Sequence, residues 1–317
     1  MASLYVDCNT GETFCQGQIE LQDGKRDWRG KKAMTLRTAK LMEEYDPERA
    51  AKLRECGTYL EFAKAPDGIK LHRANFCRER MCPMCQWRRC AKLRIQADRI
   101  YKVEVEKGHQ HIFVTLTQRN CAGEDLSKTI DKMTDQLRRW QRSAAYKAAF
   151  EGAYCATEVT YNRERNDFHP HFHLILTCRH DYFDPHNPNY WTLDRIIDTW
   201  AELMELDYRP SCEVAAVRQK EGMGITSSLA ELCKYPTKVA QVPDAKTLET
   251  IDRALRGRRL IRWTGITARI REQLQLDDIE QGNLIHTDEA VADGVELEKV
   301  VYIWRYGFYA PLGVDKV

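Results

Sequence analysis

The sequence carries little net charge of either sign. Its 317 residues hold 49 Lys and Arg against 47 Asp and Glu, a formal balance of +2, so whole-chain charge does not mark a polyanion binder. No apolar run approaches the roughly 18 residues of a membrane span, in keeping with a mean hydropathy of −0.59. The opening MASLYVDCNTGETFCQGQ lacks the basic-then-apolar layout of a secretory signal, so the expectation is a cytoplasmic protein. No Gly-x4-Gly-Lys-Ser/Thr segment is present, which excludes the P-loop cradle of an ATP-hydrolysing motor. Internal repeats and low-complexity tracts are absent, which excludes a solenoid. Hydrophobic residues make up 43%, enough to core one large domain or two smaller ones.

What is present centres on Phe168 to Thr177, FHPHFHLILT. A strand projects residues i and i+2 on one face. His171 and His173 therefore point the same way, and Phe172, Leu174 and Leu176 point the other way, towards a core. Two imidazoles fixed side by side on a strand suit metal ligation; a surface histidine pair is the simpler alternative. The preceding strand, Tyr154 to Tyr161, is joined to it by the polar turn Asn162 to Asp167, which predicts a hairpin. A hairpin symmetric about that turn sets Asn162 opposite Asp167 and Glu158 opposite His171. Glu158 is then a third ligand, or the acidic half of a cross-strand ion pair. His169 has the same parity and is the rival third ligand. A further strand, His109 to Gln118, alternates Val114 and Leu116 with Thr115 and Thr117.

Two more constellations stand apart from that hairpin. In SSLAELCKYPTKV, Ser227 to Val239, a helix places Glu231, Tyr235 and Lys238 on one face. A tyrosine between a carboxylate and an ammonium group is a candidate nucleophile, although Ser228 and Glu231 also fit a capping box and Pro236 interrupts helical hydrogen bonding. Upstream, CRERMCPMC places Cys77, Cys82 and Cys85 in a C-x4-C-x2-C spacing with Cys56 before them. Four such thiolates suit a closed structural zinc site; Cys90 and His72 are substitutes for Cys56. The knuckle spacing favours reduced thiols over disulfides among the twelve cysteines.

These segments, in this order, resemble the single-tyrosine HUH (His-hydrophobic-His) endonucleases, and more closely the plasmid rolling-circle replication initiators. FVTLTQ (Phe113 to Gln118), HPHFHLIL (His169 to Leu176) and ELCKYPTK (Glu231 to Lys238) match the family's three motifs, with EVTYN (Glu158 to Asn162) and the late YIWRYGFY (Tyr302 to Tyr309) in support. The resemblance runs from about Cys56 to the C-terminus. It implies an α+β fold with a central antiparallel sheet, flanking helices and the histidines on the middle strand. It implies a manganese or magnesium ion at His171, His173 and Glu158, a 5′-phosphotyrosine at Tyr235, water activation by Glu231 at termination, and Lys238 near the phosphate. Implied partners are origin DNA, single-stranded or hairpin, and a host helicase and polymerase. Transposases and relaxases share the histidine strand and remain alternatives, as does a zinc-dependent DNA-binding protein without catalysis.

Lys70 to Arg99 holds nine Lys and Arg against Glu79 and Asp98. Arg78, Arg80, Trp87, Arg88, Arg89 and Lys92 are the expected DNA contacts there, combining phosphate-binding charge with a stacking ring. A second basic patch, Arg253 to Trp263, is a weaker one. The expected organisation is a polar segment over 1–50 with a helix at Lys31 to Tyr45, a zinc knuckle over 51–95, a nicking domain over 96–245, and a C-terminal part over 246–317 packing on it. Helices are expected at Asp125 to Phe150 and Leu193 to Leu206, and an aromatic strand near the end.

Overall fold

The computed structural model of the chain describes residues 4–22, 26–65, 68–217, 242–285 and 298–316. Its contacts divide the chain into two units, one of residues 1–92 with 280–317 and one of residues 93–279. The sequential four-part reading does not anticipate this, because strand pairing draws the last segment back to the N-terminal part.

In the first unit, β1 (Leu4–Asp7), β2 (Thr13–Cys15) and β12 (Val314–Lys316) form a small sheet in the order β12-β1-β2. Helices α1 (Gln16–Ile19), α2 (Trp28–Met42) and α3 (Pro47–Glu55) follow. A second sheet joins β3 (Tyr59–Ala65), β4 (Gly68–Ala74), β10 (Lys299–Arg305) and β11 (Phe308–Pro311) in the order β11-β10-β3-β4. The late aromatic segment is a hairpin rather than one strand. Tyr306 and Gly307 take φ of 60° and 83°, and two successive positive φ values make the tight turn that antiparallel strands favour. The aromatic alternation continues through that turn and hides it.

Helix α4 (Pro83–Glu106) leads into the second unit. There β5 (Gln110–Thr117), β6 (Phe150–Asn162), β7 (Asp167–Cys178), β8 (Glu213–Ala216) and β9 (Ile261–Thr264) form an antiparallel sheet in the order β8-β5-β7-β6-β9. The histidine strand β7 is its middle strand, and the fold is α+β. Helices α5 (Leu126–Arg142), α6 (Ala144–Ala149), α7 (Leu193–Met204), α8 (Ala245–Leu255) and α9 (Gly265–Gln273) flank it. Phe172, Leu174 and Leu176 are fully buried and share one core with Val114, Leu116, Met133, Leu137, Trp140 and Trp200. Ile130, Met133, Leu137 and Trp140 are the buried stripe of α5, as their spacing predicts.

The expected single helix from Asp125 to Phe150 is two. Ser143 is extended (φ −63°, ψ 149°) and its hydroxyl accepts from the Tyr146 N–H, starting α6. Phe150 then opens β6. A serine can cap as readily as it can sit within a helix, so the break has no strong local mark. No helix among the described residues is long and apolar enough to cross a membrane.

At the start of α9, Gly265 has φ 59°, and a Cβ there would lie 2.0 Å from the Glu151 carbonyl oxygen. Gly257 has φ 73° with open space around it. Gly265→Ala is therefore expected to destabilise the chain by more than about 3 kcal/mol, and Gly257→Ala by about 1 kcal/mol from backbone strain alone. Denaturant unfolding of the two variants checks this ordering.

Candidate metal centres

The β6–β7 register is the one that a symmetric hairpin requires. Asn162 pairs with Asp167, and Glu158 with His171. Because parity is fixed along both strands, Glu158, His171 and His173 share the face opposite the Phe172 core. Their donor atoms lie within 4.8 Å of one another. Glu158 Oε2 is 3.3 Å from His171 Nε2 and 3.1 Å from His173 Nε2. Glu158 and His171 are buried, and His173 is half-buried with its ring stacked on Phe113 at 5.6 Å. Burial alone would raise the Glu158 carboxyl; hydrogen bonds and charge from His171 and His173 outweigh it and hold the group at about 2.

An ion bound through Nε2 needs each imidazole protonated on Nδ1. His171 Nδ1 lies 3.2 Å from the His169 carbonyl oxygen, which can only accept, so the tautomer of His171 suits ligation. His173 Nδ1 lies 3.2 Å from Thr115 Oγ1, which can accept the other proton. Thr115 pairs with His173 across β5 and β7, and local sequence assigns it no role; only the order of strands reveals it. His169 supplies its carbonyl to this arrangement, while its ring stands 5.1 Å from that of His171 and lies outside the donor cluster. Burial, then the charge of His171, lowers the basicity of His169. Glu231, Tyr235 and Lys238 lie outside the described residues.

The second cluster is in the first unit. Cys56, Cys77, Cys82 and Cys85 bring four sulfurs within 4.8 Å of one another, and neither Cys90 nor His72 belongs to it. His72 instead faces Glu61 at 3.7 Å. The Cys56–Cys85, Cys77–Cys85 and Cys82–Cys56 sulfur pairs are 3.6, 3.7 and 3.5 Å apart. That is far longer than a disulfide, and close to the edge of about 3.8 Å that a tetrahedron with zinc–sulfur bonds of about 2.3 Å requires. The backbone N–H of Cys77 donates to Cys56 Sγ at 3.4 Å, and that of Arg78 to Cys85 Sγ at 3.3 Å. These donors suit thiolates, and the cluster can hold zinc. Sequence reading misses Lys32. It is fully buried and donates to the Cys56 carbonyl at 2.8 Å. Burial lowers its basicity, and the nearby cysteine sulfurs oppose that. Such a buried ammonium group would offset the double negative charge of zinc held by four thiolates.

The basic stretch is organised differently from its sequence appearance. Arg88 donates to the Leu284 and Ile285 carbonyls at 2.9 and 2.7 Å, and Lys92 to that of Asn283 at 3.0 Å. Arg89 donates to the carbonyls of Arg78, Glu79 and Glu280. All three side chains are buried. Arg80 pairs with Glu280 at 2.9 Å. Trp87 packs edge-on against Trp28 at 4.7 Å. Arg78 is exposed, with its guanidinium 3.4 Å from the Gln281 carbonyl oxygen. Most of these cations hold a later main-chain segment, a role that local sequence cannot display.

The protein is thus of mixed α and β structure and carries two donor clusters that could hold a metal ion, one on an antiparallel sheet and one on a cysteine knuckle. A family model described as "Replication protein" (Rep_1) matches residues 68–309. The chain is 31% identical over 302 residues to a "Protein rep" of Streptococcus pneumoniae serotype 2, covering 92% of this chain and 94% of that protein. It is 33% identical over 322 residues to a "Protein rep" of Bacillus amyloliquefaciens, covering 89% and 92%. A "Replication protein" of Staphylococcus aureus is 31% identical over 204 residues, 62% of this chain and 86% of that one. No solved structure matches significantly. The chain belongs to the Rep_1 replication protein family, the plasmid replication initiators.

Freshly purified, reduced protein is expected to contain about one zinc per chain that resists mild chelation. Cys82→Ser should abolish its retention, and Lys32→Met should speed its loss to a chelator while the fold persists. Elemental analysis finding no zinc in the parent protein counts against the assignment.

Proposed function

We propose that the chain starts rolling-circle replication by nicking and rejoining single-stranded origin DNA through a covalent tyrosine intermediate, in the bacterial cytoplasm with a host helicase and polymerase. The observation that carries this reading is the cluster of His171 and His173 on the middle strand with Glu158 on the strand beside it, in a replication protein's sheet. A divalent cation held there, manganese or magnesium, would act as a Lewis acid on the oxygens of the scissile phosphate. Tyr235 attacks the phosphorus, its phenolic oxygen forms the new bond, and the 3′ oxygen leaves. The freed 3′-hydroxyl primes synthesis, and the 5′ phosphate stays on the tyrosine. A phenol with a reference pKa of roughly 10 is a weak nucleophile at neutral pH, and Lys238 offsets the developing phenolate charge. Glu231, four residues before Tyr235, takes a proton from water when the cycle ends. Positioning and charge neutralisation supply most of the rate in such phosphoryl transfers. DNA contact by the basic stretch falls chiefly to Arg78, with Trp87 in the same stretch; Arg80, Arg88, Arg89 and Lys92 contribute by fixing the segment they bond.

His171→Ala or His173→Ala should abolish cleavage of an origin oligonucleotide and keep most of the DNA affinity. Tyr235→Phe should bind DNA, make no nick and form no covalent adduct on a denaturing gel. An adduct in Tyr235→Phe, or undiminished cleavage by both histidine variants in chelator, sinks the reading.

Glu231→Ala separates the two steps. Initial nicking should persist, because the tyrosine supplies the attacking oxygen, and displaced strands should become over-long or multimeric. Normal termination in a merely less stable variant would make Glu231 a helix cap alone.

A further inference from the structure

We propose that a cleft on the back of the five-stranded sheet is a second nucleic-acid contact, which takes backbone phosphates and reads no sequence. It rests on the proposed function only in that the chain handles DNA. Thr157, in its wall, pairs with Phe172 across β6 and β7, so the cleft lies on the face opposite Glu158 and the histidines. Its volume is about 190 Å³, and its other walls are α5 and the turn from α8 to β9. Four arginines, Arg138, Arg258, Arg259 and Arg262, line it against two carboxylates, Asp131 and Asp135.

The four arginines are not equivalent. Arg258 is held in place. It grips both oxygens of Asp131 at 2.9 and 2.6 Å and donates to Ser127 Oγ at 2.8 Å. Arg262 is half-buried, donates to Cys155 Sγ at 3.3 Å and lies over the Phe172 ring at 5.0 Å. Among the described residues no carboxylate pairs with it. A guanidinium carries five N–H donors in a fork that fits phosphate, and a thiol and a ring leave most of them available. At the rim, Arg259 is 70% exposed with Asp278 only as near as 3.7 Å. Arg138 is 58% exposed beside a still more open Asp135. Exposed pairs of this kind are weak and yield to a stronger anion.

The lining contains no aromatic residue, so it offers no platform for a base. Arg253 and Arg256, 73% and 62% exposed at the end of α8 and paired with Glu249 and Asp252, lie just before the cleft turn in the chain and add exposed cations that one small anion would not need. The ligand chemistry is therefore a run of phosphodiesters rather than a free nucleotide.

The test is the salt dependence of DNA affinity for the full chain, measured on origin and unrelated sequences of equal length. The Arg259→Ala/Arg262→Ala double variant should flatten the slope of log K against log salt by about 1–2, since each lost phosphate contact removes about 0.7–0.9. Affinity should fall by a similar factor on both sequences, with the nicking rate at saturating origin oligonucleotide unchanged. Because Arg262 packs on Phe172, the exposed pair Arg138→Gln/Arg259→Gln provides a second variant whose fold is not at risk. An unchanged slope in both variants overturns the proposal. So does thermal stabilisation of the parent by millimolar inorganic phosphate or ATP that the variants lose while their DNA slope stays intact. A parent chain that fails to nick, with variants that still flatten the slope, leaves this contact standing and removes the nicking reading.

Discussion

The pairing register between β6 and β7 is the constraint on which the second unit depends. Side chains alternate along a strand with a period of two, so a slip of one residue would turn every side chain over. His171 and His173 would enter the Phe172 core, and Phe172, Leu174 and Leu176 would take the places of the donors on the opposite face. Burial of those three apolar side chains stabilises the register by several kcal/mol, at about 1.5–3 kcal/mol each. The Phe172 core thus orients the donor cluster from the other face of the sheet. The ring of Phe113 stacked on His173 and the hydroxyl of Thr115 at its Nδ1 narrow what the register leaves free.

The first unit solves a different problem. Its two sheets are small, and beside buried apolar side chains such as Trp28, Leu60 and Phe62 it uses polar and sulfur contacts. The cysteine cluster ties the α3 end, the segment after β4 and the start of α4 together. Arg88, Arg89 and Lys92 then fasten the 280–285 segment by its carbonyls. Each of those hydrogen bonds involves a charged donor, the stronger kind, and buried carbonyls left without partners would be costly.

How much could be read in the sequence depends on the range of the interactions. The histidine face and the Glu158 register come from local periodicity and need only one hairpin, whereas the choice of Cys56 over Cys90 comes from the family resemblance, because Cys56 lies two strands away from the knuckle. Thr115 needs the knowledge that β5 lies beside β7, and Lys32 needs the packing of α2 against the cysteines. The inward turn of Arg88, Arg89 and Lys92 depends on carbonyls almost two hundred positions away. Ser143 and the Tyr306–Gly307 turn escape for another reason: a serine inside a helical pattern and an aromatic alternation through a turn both look continuous. The tyrosine helix rests on sequence alone, because Glu231 and Tyr235 fall outside the described residues.

The pairing of β10 with β3, and of β12 with β1, has a consequence for synthesis. Residues 93–279 are contiguous, so that unit can finish folding while the ribosome is still translating the C-terminal strands. The first unit cannot. Its N-terminal strands must wait, with sheet edges open, until the last strands emerge, and open edges recruit other chains. A message cut short before residue 299 would release a chain whose histidine-bearing sheet can be complete and whose N-terminal sheets cannot. The order in which the two units mature is set by the direction of translation.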